Sequence, residues 1–220
     1  TYAAQCTEYF PGCTVDGVEI DGKITSLAGK YFDMPESVNV TTYDGRAFLL
    51  GTAGLYDVIL VDAYQDITIP FQMSTVEFFE LVRGRLAPGG VMVVNMNMHS
   101  DGEGSINEYL SDTIASVFPH VCTADVPGNT NRELFAADFD VAAALEENRV
   151  GLKNEALASQ MERVAAELEH YSPGGRLLTD DRASVELLGM RAIDALISDE
   201  LGYYRDIFRT EGIRGLISAF

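Results

Sequence analysis

Short strand-like runs alternate with helix-like stretches along the first part of the chain, and this alternation limits the possible folds more than any other feature. Tyr56 to Val61 is an apolar, β-branched run that ends at Asp62, as a buried strand would. Val15 to Ile20 and Val91 to Asn95 are similar runs, and stretches with helical spacing separate them. Strands that alternate with helices predict a parallel sheet that is covered by helices.

The predicted order of elements begins with a helix, Thr1 to about Phe10. A doubly wound sheet normally begins with a strand that leads through a glycine-rich turn into the first helix. We therefore expect an α/β, Rossmann-like, mostly parallel sheet that lacks its first strand, in a chain that is a fragment of a longer protein. The missing strand would lie in the centre of the sheet.

From about Val141 onward the spacing of apolar residues is helical. We predict a Rossmann-like domain over residues 1–140 and a helical C-terminal extension, packed on it, over residues 141–220. The helical stretches are 141–148, 152–170, 183–199 and 201–218, with a loop from Ser172 to Asp181.

The chain is strongly acidic, with 34 acidic and 15 basic residues and a formal net charge of −19. This imbalance argues against nucleic acid as a partner, because phosphate binding needs clustered Lys and Arg. The charge is compatible with a cationic small molecule such as a polyamine. Solubility and self-repulsion are the alternative explanation.

The cysteines and the apolar runs of the sequence indicate the cellular compartment to expect. The three cysteines, Cys6, Cys13 and Cys122, have neither the spacing of a disulfide framework nor that of a zinc site. A reducing cytoplasm is the expected location. The longest apolar runs are too short to span a bilayer, so no contact with a membrane is expected.

Three acidic residues follow predicted strands, where ligands of parallel α/β sheets bind. Glu19 could accept both hydroxyls of a ribose, or it could be an exposed charge. Asp44 could accept a hydrogen bond from an adenine amino group, but Asp44-Gly45 is also a common turn pair. Asp62 follows four apolar residues; a partly desolvated carboxylate there could act as a general base or hold a cationic amine.

Four segments together resemble the spermidine synthase (aminopropyltransferase) family, which has the class I methyltransferase fold. Their order and spacing match over roughly residues 1–96, and the Leu178-Thr179-Asp180-Asp181 segment is similar to a tail motif of bacterial relatives. The four segments are Asp16-Gly17-Val18-Glu19-Ile20-Asp21, Tyr43-Asp44-Gly45-Arg46-Ala47-Phe48-Leu49, Tyr56 to Tyr64, and Phe78-Phe79-Glu80-Leu81-Val82 leading into Leu86-Ala87-Pro88-Gly89-Gly90-Val91.

The resemblance implies a nucleoside-binding domain over residues 1–140, without the family's glycine-rich loop. Glu19 would bind the ribose of decarboxylated S-adenosylmethionine, and Asp44 with Gly45 would meet its adenine. Asp62 would lie beside the transferred aminopropyl group and help to deprotonate or position the attacking polyamine. The reaction it implies requires no metal, because the sulfonium is already a good leaving group.

The loop after Asp62 contains the other candidate residues. The family has a second acid three positions after the first; here Gln65 stands at that position, and Asp66 follows it as the second catalytic candidate. Tyr64, Gln65 and Gln72 are candidate substrate-binding residues, although packing at the rim is an equal alternative for Tyr64.

Two other functions fit the same pattern. One is a methyltransferase that uses S-adenosylmethionine, and the other is a degenerate, non-catalytic domain that binds a nucleoside or serves in assembly. The family resemblance also implies a homodimer.

Overall fold

The computed structural model of the chain describes residues 2–32, 34–35, 37–63, 69–96, 103–128 and 131–219. The strands are β1 (Val15–Glu19), β2 (Val38–Thr42), β3 (Tyr56–Val61), β4 (Leu86–Met96), β5 (His120–Asp125), β6 (Arg132–Ala137) and β7 (Leu168–His170). The helices are α1 (Tyr2–Tyr9), α2 (Gly22–Tyr31), α3 (Gly45–Gly51), α4 (Val76–Arg83), α5 (Ile106–Val117), α6 (Val141–Arg149), α7 (Glu155–Glu167) and α8 (Val185–Ala219).

Most of these helices begin where a short polar side chain accepts a hydrogen bond from the first turn. The sequence predicts Ser74 or Thr75 as the cap of α4, and Thr75 is that cap, accepting from Phe78 N. Asp21 caps α2 by accepting from Lys23 N. Each cap satisfies a backbone donor that has no partner inside the helix. Ser105, Asp140 and Asn154 cap α5, α6 and α7 in the same way.

The strands form two sheets. The smaller one pairs β1 and β2 in parallel, and the larger one has the order β3-β4-β6-β5-β7. β3 and β4 are parallel, whereas the pairs β4–β6, β6–β5 and β5–β7 are antiparallel. The sheet is therefore mixed, parallel on its β3 side and antiparallel beyond β4. Within the described residues no strand pairs with both β1 and β3, so the two sheets share no strand. A side-chain hydrogen bond links them: the Tyr56 hydroxyl donates to Asp16 Oδ2 at 3.0 Å.

The hydrophobic core lies against the larger sheet. Met92, Val94 and Met96 on β4 are fully buried, and so are Phe78 and Phe79 on α4, whose rings meet edge to face at 5.3 Å. Burial of large aromatic and aliphatic side chains is the main favourable term in folding, so this sheet with α4 and α5 is the stable centre of the molecule.

Three predicted elements differ from the structure. The spacing of Phe78, Val82 and Leu86 predicts a helix that continues to Pro88-Gly89-Gly90. Instead α4 ends at Arg83, and β4 includes that tripeptide. The stretch 152–170 ends as strand β7, which pairs with β5, so the segment after residue 141 is not helical throughout. α8 continues through residue 200, where a break was predicted; its non-helical residue is Gly212.

Candidate active site

Glu19 is the last residue of β1 and its side chain is half-buried. Its Oε1 accepts a hydrogen bond of 2.8 Å from Asp21 N, and its carbonyl accepts one of 3.0 Å from Tyr43 N. The first bond turns the carboxylate toward the loop that follows β1. A carboxylate oxygen can accept a second hydrogen bond, so this arrangement is compatible with the predicted ribose contact.

Asp44, which belongs to a common turn pair in the sequence, is the N-terminal cap of a helix. Its Oδ1 accepts a hydrogen bond of 2.8 Å from Ala47 N, and Gly45 is the first residue of α3. A Cβ added to Gly45 would lie 3.3 Å from the Met73 side chain. The start of α3 therefore lies against the 3₁₀ turn Phe71–Met73, which contains Gln72.

Asp62 directly follows β3 at the carboxyl edge of the larger sheet. It is exposed, whereas the sequence pattern suggested a partly desolvated carboxylate. Its Oδ1 accepts a hydrogen bond of 2.9 Å from Asn95 Nδ2, and Asn95 Oδ1 in turn accepts one of 2.8 Å from Asn131 Nδ2. This chain of side-chain amides fixes the Asp62 carboxylate relative to β4 and to the segment that enters β6.

Glu133 is a second carboxylate at this edge, and sequence reasoning missed it. It pairs in register with Asn95, because β6 runs antiparallel to β4 and so begins where β4 ends. Among the described residues its Oε2 is buried without a hydrogen-bond partner. An acidic residue directly before the apolar run Leu134 to Ala137 is the signal that could have indicated it.

The electrostatics connect Glu133, Asp62 and Tyr2, the first residue of α1. Burial raises the pKa of Glu133 above its ordinary value of 4.5, the negative charge of Asp62 raises it further, and the hydrogen bond with Tyr2 partly offsets both. Burial, together with the charges of Glu133 and Asp62, raises the pKa of Tyr2 to about 12. Tyr2 therefore remains a hydrogen-bond donor at neutral pH, and the negative potential at this edge favours a cation.

Of the predicted substrate contacts, the structure describes Gln72 alone. Gln72 is half-buried and its carbonyl accepts a hydrogen bond of 3.0 Å from Arg46 Nη1. Tyr64, Gln65 and Asp66 lie outside the described residues. Glu19 ends β1, Asp44 follows β2, the other strand of the smaller sheet, and Asp62 follows β3.

The described residues lack two other kinds of site. They contain no group of three or more His, Cys, Asp or Glu side chains that could hold a metal ion. Within the same residues, no helix has both the length and the apolar character that a membrane span needs.

Comparison with solved structures defines the fold. A crystal structure of a probable spermidine synthase from Corynebacterium glutamicum matches with a TM-score of 0.56 and 26% identity, covering 76% of this chain and 66% of that one. Human methyltransferase-like protein 13, in complex with S-adenosylhomocysteine, matches with a TM-score of 0.56 and 22% identity, covering 77% and 78% of the two chains. The predicted fold class, a Rossmann-like domain of the class I methyltransferase type, is confirmed.

Residues 11–131, more than half of the chain, match the spermine/spermidine synthase domain. The chain belongs to the spermine/spermidine synthase family. It is 54% identical, over its entire length, to a probable polyamine aminopropyl transferase of Bifidobacterium longum, of which it covers 53%. It is 29% identical to the polyamine aminopropyltransferase of Vibrio vulnificus over 82% of the chain and 64% of that relative. The chain therefore spans about half to two thirds of the length of these relatives.

Proposed function

We propose that this chain takes part in aminopropyl transfer from decarboxylated S-adenosylmethionine to a polyamine. The observation that carries the proposal is the 54% identity to a probable polyamine aminopropyl transferase over the whole chain. The match to the family domain, residues 11–131, includes Glu19, Asp44 and Asp62. Each of these three carboxylates stands at or just after the carboxyl end of a strand, where α/β sheets bind ligands.

In the proposed reaction the neutral nitrogen of the amine attacks the carbon next to the sulfonium. A C–N bond forms, the C–S bond breaks, and its electron pair remains on the sulfur of methylthioadenosine. The amine then loses a proton, which Asp62 would accept or direct to solvent. Glu133, when ionised, would add a second negative charge beside Asp62, which favours a cationic polyamine at this edge.

The two ends of the nucleoside have separate candidate partners. Glu19 would accept hydrogen bonds from the ribose hydroxyls, and Asp44 would accept one from the adenine amino group. The 3₁₀ turn with Gln72 lies against the start of α3. A net charge of −19 suits the recognition of a polycation. Cytoplasmic location and a homodimer remain predictions, and so do the contacts of Asp66, Tyr64 and Gln65.

The test replaces Asp62 and follows both transfer and nucleoside binding. For Asp62→Asn we expect the transfer rate to fall by about 10²- to 10⁴-fold, since the proton acceptor is lost, with the Kd of methylthioadenosine nearly unchanged. Release of methylthioadenosine from decarboxylated S-adenosylmethionine and putrescine measures the rate. Asp57→Asn is the matched control, because Asp57 is an exposed aspartate at the opposite end of β3.

Calorimetric titration separates this function from its alternatives. Tighter binding of methylthioadenosine than of S-adenosylhomocysteine supports aminopropyl transfer, because methylthioadenosine lacks the amino-acid carboxylate. The opposite preference would identify a methyltransferase. Binding of neither compound would overturn the proposed function. Unchanged turnover in Asp62→Asn would overturn the role proposed for Asp62.

A further inference from the structure

An ion pair connects the segment before α8 with the start of α3, although its two residues are 134 positions apart. Arg46 Nη1 and Nη2 donate hydrogen bonds of 2.7 and 2.6 Å to the two carboxylate oxygens of Asp180. Two parallel bonds between a guanidinium and a carboxylate fix the orientation of both groups, which a single contact does not.

Asp180 also contacts the start of α4. The Thr75 hydroxyl donates a hydrogen bond to Asp180 Oδ1 at 2.7 Å and accepts one from Phe78 N. The hydroxyl of this fully buried residue is therefore satisfied both as a donor and as an acceptor. Asp180 N donates to Glu77 at 3.0 Å. The hydrogen bonds from Arg46, and to a lesser extent the one from Thr75, lower the pKa of Asp180 below its ordinary value. The carboxylate therefore remains charged at neutral pH.

The segment that contains Asp180 is anchored to the stable part of the molecule. Leu178 is buried, its amide donates to the Thr113 hydroxyl on α5 at 3.0 Å, and its carbonyl accepts from Val76 N at 2.9 Å. α3 has a single buried residue among those described, Leu49. The firmly packed side of this ion pair is thus Asp180, and the more weakly packed side is the helix that begins at Gly45.

The same helix start contains a proposed nucleoside contact. Arg46 follows Gly45 directly, Asp44 caps the helix, and Arg46 also donates to the carbonyl of Gln72 at 3.0 Å. We propose that the Arg46–Asp180 pair positions the Asp44–Gly45 helix start and the Gln72 turn for the nucleoside, so that Asp180 is a positioning residue. This inference rests on the proposed function.

The test compares Asp180→Asn with Asp138→Asn. Asp138 accepts hydrogen bonds from Arg83, and Arg83 also donates to the backbone carbonyl of Val117. The Arg83–Asp138 pair is therefore a control with similar chemistry that lies away from α3. For Asp180→Asn we expect roughly tenfold weaker binding of methylthioadenosine, the effect of losing one charge-assisted hydrogen bond. The KM of decarboxylated S-adenosylmethionine should rise by a similar factor while that of the polyamine stays unchanged, and Asp138→Asn should change neither.

A double-mutant cycle tests whether the two residues act as a pair. The effects of Arg46→Gln and Asp180→Asn on nucleoside affinity should not add, because either change alone breaks the same contact. Additive effects, or equal losses of affinity in Asp180→Asn and Asp138→Asn, would overturn the inference.

Hydrogen exchange at the Ala47 amide, which is bonded to Asp44, provides a readout without ligand. Asp180→Asn should accelerate this exchange and Asp138→Asn should not. If the unmodified chain binds no nucleoside, the proposed function fails, and unchanged Ala47 exchange in Asp180→Asn would separately refute the positioning role.

Discussion

The two sheets of this molecule differ sharply in how they are packed. In the N-terminal layer, which we define as α1, β1, α2, β2 and α3, the buried hydrophobic residues among those described are Val38 and Leu49. In the main sheet, β3 to β7 with α4 and α5, many apolar side chains are fully buried, including Phe78, Phe79 and Met92. The N-terminal layer also exposes large apolar side chains: Ile20, Ile24, Leu27, Tyr31 and Phe32.

This difference divides the proposed site. Glu19 and Asp44, the candidate nucleoside contacts, belong to the thinly packed N-terminal layer, whereas Asp62 and Glu133 stand at the edge of the main sheet. A site on a weakly packed element depends on other contacts to hold its geometry, and here the Arg46–Asp180 pair supplies such a contact. The proposed amine end of the site needs less support, because Asp62 and Glu133 stand on the stable sheet.

The largest expected difference in stability is between truncation of a large side chain in the main sheet and truncation of one in the N-terminal layer. Phe78→Ala should lower the free energy of unfolding by about 3–5 kcal/mol, since it removes a fully buried ring and leaves a cavity. Leu27→Ala, at a residue that is 43% exposed on α2, should cost less than about 1 kcal/mol. Urea denaturation measures both values, and similar losses in the two variants would contradict the proposed difference in packing.

Glycine-to-alanine substitutions should have opposite effects on stability in the main sheet and in the N-terminal layer. A Cβ at Gly90 on β4 would lie 2.9 Å from the carbonyl oxygens of Ala87 and Tyr56, so Gly90→Ala should destabilise by about 1–3 kcal/mol. Gly29 is exposed on α2 with no atom within 4 Å of its added Cβ, so Gly29→Ala should stabilise α2 by about 0.5–1 kcal/mol. Thermal unfolding and amide exchange of α2 measure these changes; a neutral Gly90→Ala would show that β4 can shift.

Local signals in the sequence predicted most of the elements. The apolar run Tyr56 to Val61 was predicted as a strand with the observed bounds, and Thr75 was one of two predicted caps for α4. These predictions succeeded because side-chain periodicity and capping depend on residues only a few positions apart. The family motifs that contain Glu19, Asp44 and Asp62 are local in the same sense, but the roles of these three residues stay predictions.

Features that depend on distant pairing were not predicted. The antiparallel return of β6 brings Glu133 to the edge where Asp62 stands, and periodicity does not indicate the direction of a strand. Strand β7 follows a long helix and pairs with β5 through only three residues, Cys122 to Ala124. The partner of Arg46 is 134 residues away, and charge patterning within a helix could not have identified it.

The smallest expected effect tests the electrostatics of the main-sheet edge. Because burial and the charge of Asp62 raise the pKa of Glu133 above 4.5, the folded chain binds this proton more tightly than the unfolded chain does. Ionised Glu133 therefore costs stability, and this cost is absent below pH 4.5 and grows as the pH rises through the raised pKa. Glu133→Gln removes the ionisation, so its stability relative to the unmodified chain should increase between pH 4 and pH 8.

Partial exposure of Glu133 allows solvent to screen the charge, so we expect a gain of less than about 1 kcal/mol at pH 8 and little difference at pH 4. Urea denaturation across this pH range measures it. Glu80→Gln is the control, because Glu80 is an exposed glutamate on α4, beside the same sheet but away from Asp62, and should show no such trend. If Glu133→Gln instead loses stability as the pH rises, the carboxylate has a favourable partner that outweighs its burial, and the edge would not be a site prepared for a cation.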